Sequence, residues 1–395
     1  MTDGCASATQ LIHTGHACQL SLRTPGPAIQ KGSTILLNSA EDIYDKSQTT
    51  YGRGGLATHD ALRSALADLE SAEEAFLFPT GLSAITGVLQ ALTGNGDEVL
   101  ASDSVYGPTR RYLNGTASRY GIRTRYFAPQ TPVDELSALI GPQTKVIFLE
   151  SPGSLTFDIQ DVPAIAKMAR EKGVMTVIDN TWSAGVLFKP LTHGVDVSIQ
   201  AMTKYICGHS DVFMGLAACS GEARAKIAET YHEVGWAVSA DDAYMALRGL
   251  RTLVPRLKQH GEAALRIANW LSVQPEVSMV LCPALPGAPG HEIWTRDFSG
   301  ICGLFGLVLH PQPSEAIAAF LNRLNLFGLG YSWGGYESLA IHSDPQLSVR
   351  CHPAAIKGPL VRLHIGLEDA DDLIGDLRQG LDALSAMSGE LDAAE

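Results

Sequence analysis

The strongest constraint on the fold is a regular alternation of short apolar runs with amphipathic helical segments between residues 75 and 179. Strands are predicted at 75–78, 98–101, 123–127, 145–150 and 175–179. One helix is predicted to open within 79–84 and to end at 92, and further helices are predicted at 109–120, 133–140 and 162–172. Strands that alternate with helices form a parallel sheet with helices on both faces. The chain is therefore predicted to be an α/β protein whose ligands bind at the carboxyl ends of the strands.

The length of the chain, 395 residues, allows two or three domains. Residues 1–48 have no clear period and are predicted to form an extended arm that packs on a neighbouring subunit. Residues 49–250 are expected to form a large domain with a mainly parallel sheet, and residues 251–395 a smaller α+β domain. A long helical segment from 241 to 272, with a kink near Pro255, is predicted to link the two.

Charge and cysteine usage narrow the possible partners. The chain has 42 acidic and 29 basic residues and a net charge of −13, which argues against nucleic acid or an anionic membrane as the main partner. No signal peptide and no run of eighteen apolar residues is visible. The seven scattered cysteines contain no CxxC pair, which favours free thiols in a reducing cytoplasm, and no spacing typical of a metal site is found.

Two ionisable residues of opposite charge follow apolar strands. Asp179 ends the run 174–178, and Lys204 follows the run 195–199 through Thr203. Burying a charged group next to a core costs free energy unless the group has a partner of opposite charge or a hydrogen-bond partner. Pyridoxal phosphate would suit both, because its pyridinium nitrogen needs an acid and its aldehyde needs an amine. The alternative is an aspartate that caps a helix and a lysine in a surface turn.

Two further segments are candidates for binding a phosphate group. After the strand 75–78, small residues around Gly81 and Leu82 open a helix, and free N–H groups at a helix N-terminus attract anions. Near the arm, Tyr51-Gly-Arg53-Gly-Gly offers a forked guanidinium on a flexible backbone. Either segment taken alone is equally compatible with a well-capped helix or an ordinary turn.

Candidate substrate contacts lie in the C-terminal third of the chain. Arg362 lies inside the apolar strand 360–364 and needs an anionic partner, which could be a structural carboxylate or a substrate carboxylate. The aromatic and Gly-rich segment at 331–338 precedes it. Tyr106, after the strand 98–101, could stack on a flat ring or pack in the core.

Nine motifs occur in one order along the chain: YGRGG at Tyr51, FPTGLSA at Phe78, VYGP at Val105, FLESPGS at Phe148, VIDNTW at Val177, TKYICGHSD at Thr203, ALRGLRTL at Ala246, YSWGGYESL at Tyr331 and RLHIGLED at Arg362. In these motifs, from about residue 33 to about 384, the chain resembles the Cys/Met metabolism family of pyridoxal-phosphate enzymes. The ESPGS, SIQAMTKY, YSWGGYES and RLHIGLED segments are most similar to the cystathionine β-lyase branch. The resemblance implies a fold-type I architecture, like that of aspartate aminotransferase.

The resemblance also implies roles for individual residues. Lys204 would hold the cofactor as a Schiff base, Asp179 would keep its pyridine nitrogen protonated, and Tyr106 would stack on its ring. The cofactor phosphate would be bound by Gly81, Leu82 and Thr203, and by Tyr51 and Arg53 of a neighbouring subunit. Arg362 would bind the substrate α-carboxylate, with Ser332 and Trp333 beside it. The implied catalytic residues are Lys204, Tyr106 and Tyr51.

The activity that the resemblance implies is β-elimination of cystathionine, or of a related cysteine S-conjugate, to a thiol, pyruvate and ammonia, in a homotetramer made of two dimers. Gly54 departs from the pattern, because β-lyases often carry a second arginine there, near the distal end of the substrate. Alternatives are a γ-lyase or γ-synthase of the same family, which would give 2-oxobutyrate or replacement products, and a non-catalytic binding protein that keeps the fold.

Overall fold

The computed structural model describes residues 6–13, 24–45 and 47–392. Of the predicted arm, residues 1–5, 14–23 and 46 lie outside the described residues, as do Cys5 and Cys18. The helices are α1 Ser7–His13, α2 Ala57–Glu70, α3 Gly81–Leu92, α4 Gly107–Tyr112, α5 Val133–Leu139, α6 Val162–Glu171, α7 Gly221–Val234, α8 Ala240–Arg251, α9 Leu253–Leu271, α10 His291–Asp297, α11 Ser314–Arg323, α12 Asp344–Leu347 and α13 Ala370–Asp392.

The strands form two sheets. The first has seven strands in the order β1-β7-β6-β5-β4-β2-β3, and the second has five in the order β10-β11-β12-β9-β8. Their bounds are β1 Glu74–Phe78, β2 Glu98–Ser102, β3 Arg123–Phe127, β4 Thr144–Glu150, β5 Met175–Asp179, β6 Val197–Ala201, β7 Gly215–Cys219, β8 Val277–Leu281, β9 Leu304–Leu309, β10 Gly328–Leu329, β11 Leu339–His342 and β12 Leu360–His364.

The first sheet confirms the predicted α/β class and the five strands predicted from the alternation. Strands β6, β5, β4, β2 and β3 run parallel. The four inner strands among them, β6, β5, β4 and β2, are buried along most of their length because helices cover both faces. The edge strand β3 is buried only at Phe127. The helix predicted at 109–120 differs in detail, since α4 ends at Tyr112 and continues as a short π-helical segment over Leu113–Ala117.

Strand β7 was not predicted from the sequence. Its GLAAC segment lacks the β-branched residues that mark a strand, yet every residue of it is buried. It lies between β6 and β1 and is antiparallel to both. Since two reversals restore the direction, β1 runs parallel to β6, and the chain leaving β1 reaches the same sheet edge as the chain leaving β6.

The predicted kink near Pro255 is wrong, because the chain does not form one bent helix there. The chain forms two helices, with α8 ending at Arg251 and α9 beginning at Leu253. Pro255 therefore lies in the first turn of α9, where its missing N–H would have no helical acceptor and costs little. The interruption falls at Thr252 between the helices.

The second sheet is antiparallel except for the β10–β11 pair. It packs against α9 and α11, and α13 packs against these two helices. In the sequence, all strands of the first sheet precede the predicted boundary between residues 250 and 251, and all strands of the second sheet follow it. The boundary itself stays a prediction. Within the described part of the chain, no helix combines the length and the apolar character needed to cross a bilayer.

Candidate active site

A cavity of about 320 Å³ lies at the carboxyl ends of the strands of the first sheet, where residues of the second sheet close it. Six residues predicted from the sequence line it from the first sheet: Gly81, Leu82, Tyr106, Asp179, Thr203 and Lys204. Trp333 and Arg362 line it from the second sheet. The structure therefore brings together groups that lie up to 281 residues apart in the chain, from Gly81 to Arg362.

Lys204 lies in the turn that follows β6, with its amine directed into the cavity. Its Nζ donates a hydrogen bond to Ser332 Oγ at 2.9 Å and lies 5.3 Å from the centre of the Trp333 ring. Burial and the nearby charge of Arg362 lower the pKa of Lys204 to about 8. A substantial fraction of this amine is therefore neutral near physiological pH, which is the form that accepts a proton or attacks an aldehyde.

Asp179 is the last residue of β5, and only one of its oxygens is bonded within the described chain. Its Oδ1 accepts from Thr181 N at 3.0 Å and from Thr181 Oγ1 at 2.5 Å. The Thr181 hydroxyl in turn accepts from Ala201 N at 2.9 Å, which ties β5 to β6. Burial raises the pKa of Asp179, partly offset by the Thr181 hydrogen bonds. Its Oδ2 is left for a cationic partner in the cavity.

The N-terminus of α3 presents donors to the same cavity. Thr80 caps the helix, since its Oγ1 accepts from Ser83 N at 3.0 Å. The N–H groups of Gly81 and Leu82 have no acceptor among the described residues, and together they form an anion site at a helix N-terminus. Gly81 is required here, because a Cβ would lie 2.5 Å from the Cβ of Ala201.

Thr203 lines the cavity while its side chain holds the turn before β7. Its Oγ1 donates to Met214 O at 3.3 Å and accepts from Met214 N at 3.0 Å. The hydroxyl proton is therefore committed to the Met214 carbonyl, and one lone pair of the hydroxyl oxygen stays free to accept a hydrogen bond. Through Thr203, the turn that carries Lys204 is thereby tied to Met214, the residue before β7.

Arg362 is buried without a carboxylate partner among the described residues. Its Nη2 donates to the carbonyl oxygens of Gly330, Tyr331 and Ser332, at 3.2, 2.9 and 3.0 Å. Its Nε is buried and has no acceptor. Burial lowers the pKa of Arg362 to about 10, so the group stays charged at neutral pH. An uncompensated guanidinium in a cavity is a binding site for an anionic group.

Tyr106 and Glu150 are joined by a hydrogen bond at the cavity wall. Tyr106 precedes α4, and its N–H donates to Glu150 Oε2 at 2.6 Å. Burial and the charge of Asp179 raise the pKa values of both the Tyr106 phenol and the Glu150 carboxyl. Glu150 was not among the site residues predicted from the sequence. Its one signal is its position as the last residue of β4, at the strand end where ligand-binding residues are expected.

Tyr51 and Arg53 do not line the cavity of their own chain. Both side chains are exposed, with Tyr51 at 53%, and the Arg53 guanidinium lies 5.5 Å from the Tyr51 ring centre. A Cβ on Gly235, at the end of α7, would touch the Arg53 side chain at 3.6 Å. The structure thus leaves these two residues at the surface.

Comparison with known proteins identifies the family. The family model described as Cys/Met metabolism PLP-dependent enzyme matches residues 8–382. The chain belongs to this family. It is 41% identical to the cystathionine beta-lyase of Haemophilus influenzae, over 96% of this chain and 98% of that protein. It is 42% identical to cystathionine beta-lyase MetC of Escherichia coli, over 94% of this chain and 97% of that protein.

A solved relative shows the same architecture. The crystal structure of cystathionine gamma synthase from Xanthomonas oryzae pv. oryzae, in complex with aminoacrylate and cysteine, superposes with a TM-score of 0.88. It is 31% identical and covers 97% of this chain and 99% of that chain. The predicted fold-type I class is therefore confirmed, as is the predicted family.

The cavity of this chain suits pyridoxal phosphate, the cofactor of the family. It offers an amine with a lowered pKa, and also a carboxylate oxygen and two helix N-terminal amides that have no partner in the described part of the chain. These three groups match an aldehyde, a pyridinium nitrogen and a phosphate, respectively.

Proposed function

We propose that this protein is a carbon–sulfur lyase that cleaves cystathionine, or a related cysteine S-conjugate, by β-elimination. The observation that carries the proposal is the buried guanidinium of Arg362, which has no carboxylate partner within the described chain and shares one cavity with Lys204 and Asp179. An α-amino acid supplies the missing carboxylate and presents its amine and α-carbon to the same cavity.

Each residue has a stated task in this proposal. Arg362 binds the α-carboxylate, and Gly81 and Leu82 hold the cofactor phosphate. Asp179 keeps the pyridine nitrogen protonated. When bound, the cofactor supplies an electron-withdrawing ring that stabilises negative charge at the substrate α-carbon. Thr203 holds the turn that carries the lysine.

Proton transfer falls to Lys204 and Tyr106. With its pKa lowered to about 8, the Lys204 amine takes the α-proton. The carbon–sulfur bond then breaks, and Lys204 or Tyr106 donates a proton to the departing sulfur. Ser332 and Trp333 hold the Lys204 amine near the reacting atoms. Hydrolysis of the remaining three-carbon fragment gives pyruvate and ammonia.

The β-lyase assignment is supported by the two relatives above, which are named as cystathionine beta-lyases and match at 41% and 42% identity. The solved γ-synthase matches at 31%. The runner-up is therefore γ-elimination or γ-replacement in the same cavity. Position 54 bears on the choice of thioether, because β-lyases often carry an arginine there near the distal end of the substrate. The fold leaves room for a side chain at this glycine, since a Cβ would meet nothing within 4 Å.

A product assay tests the proposal. The purified protein with its cofactor is given cystathionine, and the keto acid and the thiol are identified. Pyruvate with homocysteine supports β-elimination; 2-oxobutyrate with cysteine replaces it with the γ reaction. Lys204→Ala is expected to lose turnover and the borohydride-sensitive visible band while its circular dichroism stays unchanged. Turnover that survives in this variant would overturn the role of Lys204.

We also propose a homotetramer made of two dimers, in which Tyr51 and Arg53 of one subunit complete the site of its neighbour and Tyr51 is catalytic there. Their exposure on their own chain is what this arrangement requires. The proposed domains are an arm to residue 48, a large domain over 49–250 and a small domain over 251–395. A cytoplasmic location is proposed from the free thiols of the five described cysteines.

A further inference from the structure

The loop at 330–337, between β10 and β11, carries two residues that contact the reactive lysine. Ser332 accepts the hydrogen bond from Lys204 Nζ, and Trp333 lies under that amine. We name residues 330–337 the substrate loop. It has no helix or strand of its own, so its conformation depends on hydrogen bonds from neighbouring elements.

Strand β12 holds the substrate loop through two side chains. Arg362 and His364 are two residues apart and therefore project from the same face of the strand. Arg362 reaches the first part of the loop through three carbonyl oxygens. His364 reaches the remainder: its Nε2 accepts from Gly334 N at 2.9 Å, and its Nδ1 donates to Glu337 O at 3.0 Å.

These two hydrogen bonds specify one form of the His364 imidazole. An N–H on one side and a lone pair on the other are needed together, which only the neutral ring protonated at Nδ1 provides. The ring is fully buried, and burial holds its pKa well below the ordinary value. The positive charges of Arg362 and Lys204 also oppose its protonation, as does that of His260 when His260 is protonated, whereas the hydrogen bond to the Glu337 carbonyl favours it.

The Gly334 amide is a sensitive point in the loop. Gly334 has a φ of +82°, and a Cβ there would lie 2.9 Å from the backbone carbon of Lys204. The loop backbone therefore rests directly on the backbone of the reactive lysine. A displacement of Gly334 moves Ser332 and Trp333 relative to the Lys204 amine, because these residues precede it by only two and one positions, respectively.

We propose that His364 is a positioning residue for the substrate loop: by accepting the Gly334 N–H, it sets the place of Ser332 and Trp333 against Lys204 without touching substrate or cofactor. The role in turnover rests on the proposed function above, whereas the hydrogen bond and its effect on the loop do not.

The chain offers a matched control in a second buried histidine of the same cluster. His260 is fully buried on α9, and its ring centre lies 5.4 Å from that of His364. Its Nδ1 hydrogen-bonds to the carbonyl oxygens of Ile365 and Gly366, at 2.8 and 3.1 Å, while its Nε2 is buried without a partner. The two histidines thus differ in whether Nε2 has a partner.

The test compares His364→Asn with His260→Asn. The asparagine amide reproduces the Nδ1–H donor in both variants and removes Nε2 in both. Amide hydrogen exchange, followed by mass spectrometry on peptides that cover 330–338, is measured for each. We expect exchange in this segment to accelerate at least about tenfold in His364→Asn, because the Gly334 N–H loses its acceptor, and to change less than about twofold in His260→Asn.

The kinetic result is expected to follow the same contrast. With cystathionine as substrate, His364→Asn lowers kcat/KM by at least about tenfold, while His260→Asn stays within about threefold of the parent. His364→Gln, whose amide oxygen reaches the place of Nε2, restores most of both the exchange protection and kcat/KM. Equal behaviour of the two Asn variants in exchange overturns the proposal.

The design separates two kinds of failure. If the parent protein does not act on cystathionine, the proposed function fails, yet the exchange contrast still tests the positioning role. If both Asn variants lose their fold by circular dichroism, His364→Gln and its exchange pattern decide: protection retained at 330–338 supports the proposal, and protection lost with an intact fold overturns it.

Discussion

At the scale of single residues, two buried arginines differ in their partners. Arg110 forms an ion pair with the buried Asp103 and lies 3.9 Å from the centre of the Tyr126 ring. Among the described residues, Arg362 has only carbonyl acceptors, and its Nε–H has no acceptor. A buried ion pair is a structural device that leaves an uncompensated charge when broken, whereas an unpaired guanidinium at a cavity is available for a ligand.

This difference predicts opposite outcomes for the same substitution. Arg362→Met is expected to lower kcat/KM for an amino-acid substrate at least about 100-fold while changing the free energy of unfolding by about 1 kcal/mol or less. Arg110→Met, the control, is expected to destabilise the fold by about 3–5 kcal/mol, because Asp103 is left buried and charged. Urea unfolding and steady-state kinetics measure both. A large loss of stability in Arg362→Met would mean that the arginine is mainly structural.

The lowered pKa of Lys204 predicts how the cofactor-free protein takes up pyridoxal phosphate. Only the neutral amine attacks the aldehyde, so the rate of uptake should rise with pH and reach half of its maximum near pH 8, where the pKa of Lys204 lies. Stopped-flow absorbance over pH 6.5 to about 10 measures the rate. A midpoint near the ordinary lysine value of 10.5 would show that burial and Arg362 do not act on this amine as the structure indicates.

At the scale of elements, the contact between α3 and β6 decides where the anion site lies. The N-terminus of α3 meets the end of β6 at Gly81 and Ala201, and β7 makes this possible by aligning β1 with β6. Gly215 at the start of β7 also passes close to Thr80, since a Cβ there would lie 2.2 Å from Thr80 O. The helix N-terminus is thus placed by backbone contacts that leave no room for a side chain.

Gly81→Ala is expected to push the helix N-terminus away from β6. Its added methyl group would lie 2.5 Å from the Ala201 side chain, so the free amides move from the anion site. We expect the dissociation constant for pyridoxal phosphate to rise at least about tenfold. Gly141→Ala, at a position where a Cβ meets nothing within 4 Å, is the control and should bind as the parent does. Equal affinity of the two variants would contradict the assignment of α3 as the phosphate site.

At the scale of the whole molecule, the cavity of one chain lacks two of the residues that the family pattern assigns to it. Tyr51 and Arg53 are exposed, and Arg53 lies near the end of α7. Other large apolar side chains in the same part of the chain are exposed as well, among them Leu36 at 91% and Tyr44 at 81%. In the proposed dimer, a neighbouring subunit would cover these side chains.

A subunit-mixing experiment tests whether the site is shared. Arg53→Ala and Lys204→Ala are expected to be weakly active and inactive, respectively, when each is alone. After the two are unfolded together and refolded, half of the dimers are mixed and each mixed dimer holds one complete site, so roughly a quarter of the parent activity should return. If Arg53 acts on its own chain, or has no role in the site, mixing returns no more than the average of the separate activities.

Much of the fold followed from local patterns in the sequence. The alternation of apolar strands and amphipathic helices predicted the parallel sheet, because burial on both faces imposes that pattern residue by residue. The polar residues at the strand ends predicted which side chains would meet, and Asp179 and Lys204 do line one cavity. The motif order predicted the family and the fold type. Each of these signals is carried by residues a few positions apart within one segment, so it can be read without the folded chain.

Only the tertiary structure decided the remainder. Strand β7 is defined by the antiparallel neighbours on its two sides, the pairing of Tyr106 with Glu150 joins two separate strand ends, and the hold of His364 on the substrate loop spans thirty residues. The exposure of Tyr51 and Arg53 likewise required the folded chain. Each depends on contacts between segments remote in sequence, whose geometry is set by packing and leaves no periodic signal in the chain.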